Sequence, residues 1–192
     1  MPTPTKRELT HQRIVDAAAR ALRREGFAGV GVAEVMKQAG LTHGGFYAHF
    51  PSREALLAEA VQRAAEHRVG GLAERTRERI AAGISPLQAV IETYLSEEHM
   101  DATEYGCLVG ALGSEMARQG DSLLAASREQ VEQLVARVEQ VLPEGAPPGQ
   151  AVAIGGALVG ILQLARVAGR NDAGHALLAQ GREALIAQYV KQ

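Results

Sequence analysis

The sequence predicts an all-helical protein, and three observations carry the prediction. Apolar residues recur at three- and four-residue spacings in one segment after another. Those segments are bounded by capping residues, glycines and prolines. Alternating strand patterns are nearly absent. With 46% hydrophobic residues, 4% aromatics and no Trp, the core must be built mainly from Ala, Leu, Val and Ile.

From Leu9 to Arg24, Ile14, Ala17, Ala18, Ala21 and Leu22 form one apolar face, and Gly26 stops this first helix. A second helix, about Val32 to Gln38, presents Val32, Val35 and Met36 on one side and ends at Gly40. Thr42 can cap a third short helix running to Phe50, which Pro51 closes. Ser52 is the N-cap expected for a fourth helix carrying Ala55, Leu56, Ala60 and Val61. Ser85-Pro86 reads as N-cap plus N1 proline before Leu87, Val90, Ile91 and Tyr94. Asp101 with Glu104 resembles a capping box. Asp121 or Ser122 starts the helix holding Leu123, Leu134 and Val138, and Pro143 to Gly149 is a loop. Two last helices are expected over about Gln150–Ala168 and Ala173–Lys191, the second capped by Asn171 or Asp172.

The functional signal lies in Val32 to Phe50. Two short helices joined at Gly40, with Leu41 just after the turn, is the pattern of a helix-turn-helix. In that motif the early residues of the second helix lie nearest the base edges of the major groove. Here they are Thr42, His43, Gly44 and Gly45; glycines permit close backbone approach but cost about 1 kcal/mol each inside a helix. Charge distribution agrees. Residues 1–50 carry seven Lys or Arg against four Asp or Glu, a net +3 that leaves −5 for the rest of a chain totalling −2. A basic end on an acidic body attracts a polyanion locally.

The run Gly26-Phe27, Glu34-Val35-Met36, Ala39-Gly40-Leu41, Gly45-Phe46-Tyr47-Ala48-His49-Phe50, Ser52-Arg53 and Leu56-Leu57 resembles the DNA-binding region of the TetR family of transcriptional regulators. The resemblance implies an N-terminal three-helix DNA-binding domain over 1–51 and a larger helical effector-binding and dimerisation domain over 52–192. It implies that Tyr47, His49 and Arg53 hold phosphates while Phe46 and Phe50 pack inward. Thr42, His43, Gly44 and Gly45 would then read bases. The family often carries Ser or Thr at the start of the second helix. Val30-Gly31-Val32 stands there instead, so that phosphate contact comes from a backbone N–H or is lost. The implied function is that of a non-enzymatic homodimeric repressor, released from a pseudo-palindromic duplex DNA operator by a small-molecule effector.

Past Val61 the resemblance weakens. The last two helices are in the place where the family dimerises, and Gly155, Gly156 and Gly160 would allow close helix approach; a buried intrachain helix gives the same pattern. Position along the chain makes Tyr94, His99, Met100, Cys107, Leu108, Leu112, Met116, Leu162 and Arg166 the candidates for an effector pocket. Arg166 would pair an anionic ligand or make an intersubunit salt bridge. Cys107, in Tyr105-Gly-Cys-Leu, resembles the thiol of relatives that sense electrophiles or oxidants; a small buried hydrophobe is the plainer reading. The acidic helix start expected at Asp101 would oppose thiolate formation.

The single Cys excludes an intrachain disulfide. Glu97, Glu98, His99, Asp101 and Glu104 could be imagined as a metal site, but acid-rich helix ends are the commoner reason for such a cluster. No catalytic signature is present, and neither metal nor cofactor is expected. The most apolar stretch, Ala151 to Leu162, falls short of the ~18 residues of a membrane span, and Met1–Thr10 lacks the apolar run of a signal. A cytoplasmic protein is expected.

Overall fold

The computed structural model describes residues 4–66, 71–102 and 106–190. Every regular element among them is a helix. In order these are α1 (Lys6–Gly29), α2 (Val32–Gln38), a 3₁₀ helix (His43–Ala48), α3 (Arg53–Glu66), α4 (Leu72–Ala81), α5 (Pro86–Tyr94), α6 (Glu97–Asp101), α7 (Leu108–Met116), α8 (Asp121–Glu139), α9 (Gln150–Ala168) and α10 (Asp172–Tyr189). The all-helical prediction holds.

α1 begins earlier than its apolar face suggested, because Thr5 and Glu8 form a reciprocal capping box. Gly26 does break the helix, at φ 72° and ψ 177°, but helical geometry resumes and runs to Gly29. Ser52 caps α3, accepting from the Ala55 N–H at 3.1 Å. α3 packs on α1 on one side and on α8 on the other, so it belongs to both halves of the molecule. The α1–α3 contact is pinned by an Arg63–Asp16 ion pair at 2.7 Å and by the buried Arg23, which donates to the Ala64 carbonyl.

Three sequence expectations are corrected, and one helix, α4, stands where none was expected. The third helix is not an α-helix over Thr42–Phe50 but a 3₁₀ helix over His43–Ala48, and Thr42 precedes it without a side-chain cap. Two successive glycines weaken α-helical hydrogen bonding there, and Gly45 N–H turns to the Thr42 carbonyl three residues back, at 3.1 Å. Asp101 does not open a helix. It ends α6, which Ser96 caps through the His99 N–H; Glu104, the other half of the expected capping box, and Tyr105 lie outside the described residues. α4 went unread because it buries no residue fully and so has little apolar face. Finally, α9 spans 19 residues, long and apolar enough to cross a membrane by length and composition alone. It packs against α8 and α10, with Leu158, Leu162 and Ala165 fully buried and Arg166 near its end.

In the body, Asn171 caps α10 by accepting from the N–H groups of Ala173 and Gly174 at 3.0 and 3.1 Å. Arg166 holds α9 to its neighbours. Its guanidinium donates to the carbonyls of His99 at 2.7 Å, Met100 at 3.1 Å and Gly110 at 3.2 Å. Burial holds its pKa below the usual arginine value, and three carbonyl dipoles stand in for the lost water.

Candidate nucleic-acid interface

The 3₁₀ helix is fastened from beneath and open above. Phe46 and Phe50 are 2% and 1% exposed and stack with ring centroids 5.7 Å apart. Their spacing puts both on the inner face and turns the residues between them outward. Tyr47 is 73% exposed, and Thr42, His43 and Gly44 are exposed beside it. An added Cβ at Gly44 would meet nothing within 4 Å, and at Gly45 only the Met36 methyl at 3.6 Å. The fold itself therefore asks for glycine at neither position.

Two residues that sequence reasoning missed support this platform. Arg7, at the start of α1, donates to the Ala48 carbonyl at 3.0 Å. His11 stacks on Phe50 at 4.4 Å and reaches Glu59 of α3 at 2.6 Å. Both stand one helix away in sequence, so no local pattern marks them. His49 lies against this group, half-buried, with its Nδ1 buried and lacking a hydrogen-bond partner among the described residues. Burial, then the nearby His11 and Arg7, holds its pKa below the ordinary histidine value. The ring is thus neutral at pH 7 and offers one N–H.

Arg53 is placed differently from its neighbours. It is exposed at the start of α3, yet its Nε donates to the Val30 carbonyl at 3.0 Å and its Nη2 to the Phe27 carbonyl. Gly31 occupies the N-cap of α2 with no side-chain bond, as the missing hydroxyl implied.

The kink at Gly26 is where the two halves of the chain meet. The Phe27 N–H donates to Oε2 of Glu115, on α7, at 3.0 Å. Phe27 is thus gripped at both ends of its backbone, by the Glu115 carboxylate and the Arg53 guanidinium. The Glu115→Ala variant is expected to lose about 1–3 kcal/mol, since a half-buried N–H would lose its charged acceptor. Glu115→Gln, which still offers an acceptor, should keep most of that stability; thermal denaturation of both variants checks it.

The opposite end of α7 faces a cavity of about 400 Å³. Among the sequence candidates, Tyr94 and Cys107 line it. His99 sits directly behind, 1% exposed, its ring edge-on to Tyr94 at 4.7 Å. Its tautomer follows from its partners. Nδ1 lies 2.6 Å from the Tyr94 carbonyl, which can only accept, and Nε2 lies 3.0 Å from the Cys107 N–H, which can only donate. His99 is therefore neutral, with both nitrogens committed. Leu108, Leu112, Met116, Met100 and Leu162 are buried core. Arg166 serves the clamp described above. Leu134 and Val138, which in the sequence stand only as part of a helix face, do line the cavity, as does Leu158, which no sequence pattern singles out.

Comparison with known proteins agrees with the residues. Residues 14–60 match the family model described as bacterial regulatory proteins, tetR family. The transcriptional regulator AcuR of Cereibacter sphaeroides is 30% identical over 145 residues, 74% of this chain; the chain spans 65% of that protein's length. Among solved structures, a TetR-family transcriptional regulator from Cytophaga hutchinsonii superposes with a TM-score of 0.72 at 20% identity, covering 100% of both chains. The regulatory protein TetR from Rhodobacter sphaeroides does so at 0.71 and 24% identity, covering 91% of this chain and 98% of its own. The platform of Phe46, Tyr47, His49 and Phe50 thus lies inside a segment, residues 14–60, that matches the tetR family of bacterial regulatory proteins.

Proposed function

We propose that the protein is a DNA-binding transcriptional regulator acting as a homodimeric repressor, released from a pseudo-palindromic operator by a small molecule. The observation that carries this reading is the 3₁₀ helix, which exposes Tyr47 and two successive exposed or half-exposed glycines that the fold does not need. A glycine that costs stability without an internal return points to something approaching from outside. Thr42, His43, Gly44 and Gly45 read base edges, while Tyr47 and the outward ring edge of His49 hold phosphates. Arg53 acts mainly by fixing the loop between α1 and α2, with its remaining N–H groups turned to the DNA backbone.

Residues 1–51 are the reading head and 52–192 the sensing and pairing body. The pairing surface is the outer face of α9 together with α10. Val152, Leu164 and Val167 are 60%, 60% and 87% exposed there. Gly156 and Gly160 lie between them, and a Cβ on either would meet nothing within 4 Å. A second copy covers this face. It sets two recognition helices about one DNA turn, roughly 34–36 Å, apart or a multiple of that. The work is that of a cytoplasmic protein with no catalytic step.

An effector in the cavity touches Cys107 at the start of α7, and α7 ends at Glu115 on the Phe27 hinge. A ligand that favours one placement of α7 biases the spacing of the reading heads. Thiol sensing by Cys107 is the weaker reading, since that residue is 1% exposed.

Gel-shift at fixed salt on the DNA flanking the protein's own gene tests the proposal. Tyr47→Ala should lower operator affinity roughly a hundredfold, two charge-assisted hydrogen bonds per dimer, with the melting temperature unchanged. Absence of site-specific binding by an intact dimer, with residual binding indifferent to Tyr47→Ala, would sink the reading.

A further inference from the structure

Beside the Phe27 hinge lies a second cleft, of about 340 Å³. Phe27 and Ala28 of α1 and Arg53 of α3 form one side; Glu115, at the end of α7, and Arg118 and Gln119, in the turn after it, form the other. Two guanidinium groups far apart in sequence thus share one opening. Arg53 is anchored there by the Val30 and Phe27 carbonyls. Arg118 is exposed, and its guanidinium makes no hydrogen bond or ion pair among the described residues. The turn beneath it is nonetheless fixed. The Arg118 N–H and the Gln119 side-chain amide both donate to the Glu115 carbonyl, each at 3.0 Å. The Glu115 carboxylate, which also lines the cleft, is engaged through Oε2 by the Phe27 N–H. Ser122 donates to Glu54, the neighbour of Arg53, and so ties the start of α8 to the start of α3. The cleft stands at the reading end of the molecule. Arg53 follows Phe50 by three residues, at most about 11 Å of chain, and Val30 leads straight into Gly31 and α2.

We propose that Arg118 is a DNA contact made by the body, closing with Arg53 on one phosphate of the operator backbone. The proposal rests on the reading of the 3₁₀ helix as the DNA-binding surface. A guanidinium presents a planar fork that matches phosphate oxygens, and two of them around one phosphate add charge to that geometry. Such a contact fixes position and reads no sequence. Its use lies in where Arg118 is mounted. The turn that carries it follows α7, whose opposite end faces the effector cavity. Operator affinity then depends on where α7 stands, by a route separate from the Phe27 hinge.

The test is gel-shift of the full-length protein on its operator and on a shuffled duplex, over a series of salt concentrations. Arg118→Met should weaken both complexes about tenfold, the worth of two exposed ion pairs per dimer. The slope of log affinity against log salt should become shallower by about 1.8, since each lost phosphate contact is worth about 0.9. Arg118→Lys should recover most of both. Both variants should melt as the wild type does, because an exposed side chain without partners carries little stability. Unchanged affinity and slope in Arg118→Met, with the operator complex still sensitive to Tyr47→Ala, overturns the Arg118 contact alone. Indifference to Tyr47→Ala as well overturns the DNA-binding reading with it. A lowered melting temperature with an unchanged slope gives Arg118 a structural task and also overturns the contact. Calorimetric titration with inorganic phosphate supplies the last arm. Phosphate bound by the wild type and not by Arg118→Met, while the two bind operator equally, assigns the cleft to a free anion and overturns the proposal.

Discussion

Replacing Phe50 with alanine is expected to lower the melting temperature by about 10 °C and to abolish operator binding. Phe50 is 1% exposed and lies under the whole reading platform. Its ring stacks on Phe46 at 5.7 Å and on His11 at 4.4 Å, and its N–H closes the 3₁₀ helix on the Phe46 carbonyl at 3.0 Å. Truncating a buried Phe to Ala costs about 3–5 kcal/mol, because the hole that remains is only partly refilled. A domain has a net stability of about 5–15 kcal/mol, so this removes a large share. For a chain of this length each kcal/mol is worth about 2–4 °C. The hole would open beneath His11, which reaches Glu59 and flanks His49. Phe50→Leu, which keeps most of the volume, should cost far less and retain binding. Thermal denaturation beside gel-shift separates this loss from that of Tyr47→Ala, which should spare the fold.

Gly174→Ala should destabilise the body by about 3 kcal/mol, the upper end of what overpacking usually costs. A Cβ there would stand 1.9 Å from the Gly169 carbonyl oxygen and 2.9 Å from both the Ala165 carbonyl and the Met100 methyl. Two of these obstacles are backbone, in the corner where α9 turns into α10, and backbone cannot swing aside as a flexible side chain does. Opening the corner would also pull on Arg166, one residue beyond Ala165, and so on α6 and α7. Gly156→Ala is the informative contrast. That site is helical with open space around it, so the isolated chain should gain up to about 1 kcal/mol of helix propensity. Equal melting curves for the two variants would show that the corner is not packed as described.

What could be read from the sequence was periodic or capped. The long helices announced themselves through Ile14, Ala18 and Leu22, through Leu134 and Val138, and through the punctuation of Ser52, Pro86 and Asn171. The reading platform was legible because Phe46 and Phe50 are four apart, with Tyr47 between them. α4 was not, since it has no strong apolar face to repeat. Arg7 and His11 act across tertiary contacts, and spacing along a chain carries no trace of those. Arg166 looked like a ligand-binding cation because a charge in an apolar helix needs a partner. Its partners proved to be three carbonyls, which a sequence does not display. Glu115 stood in plain view after Cys107, but its task is defined by a kink 88 residues away.

The grip on Phe27 bears on how interchangeable such reading heads are. Residues 4–66, the reading head together with all of α3, fold back on themselves through the α1–α3 contact and look detachable at first sight. Detached, they would carry a Phe27 N–H without its acceptor and an α3 with its α8-facing side bared. A graft of this head onto another body would need a carboxylate at the end of that body's seventh helix, as well as a surface shaped for α3. Without the first, the transplanted head would read DNA yet answer poorly to whatever its new body senses. Modularity in this protein therefore ends at two contacts, and a transferable head must find both a carboxylate in the place of Glu115 and a surface in the place of α8.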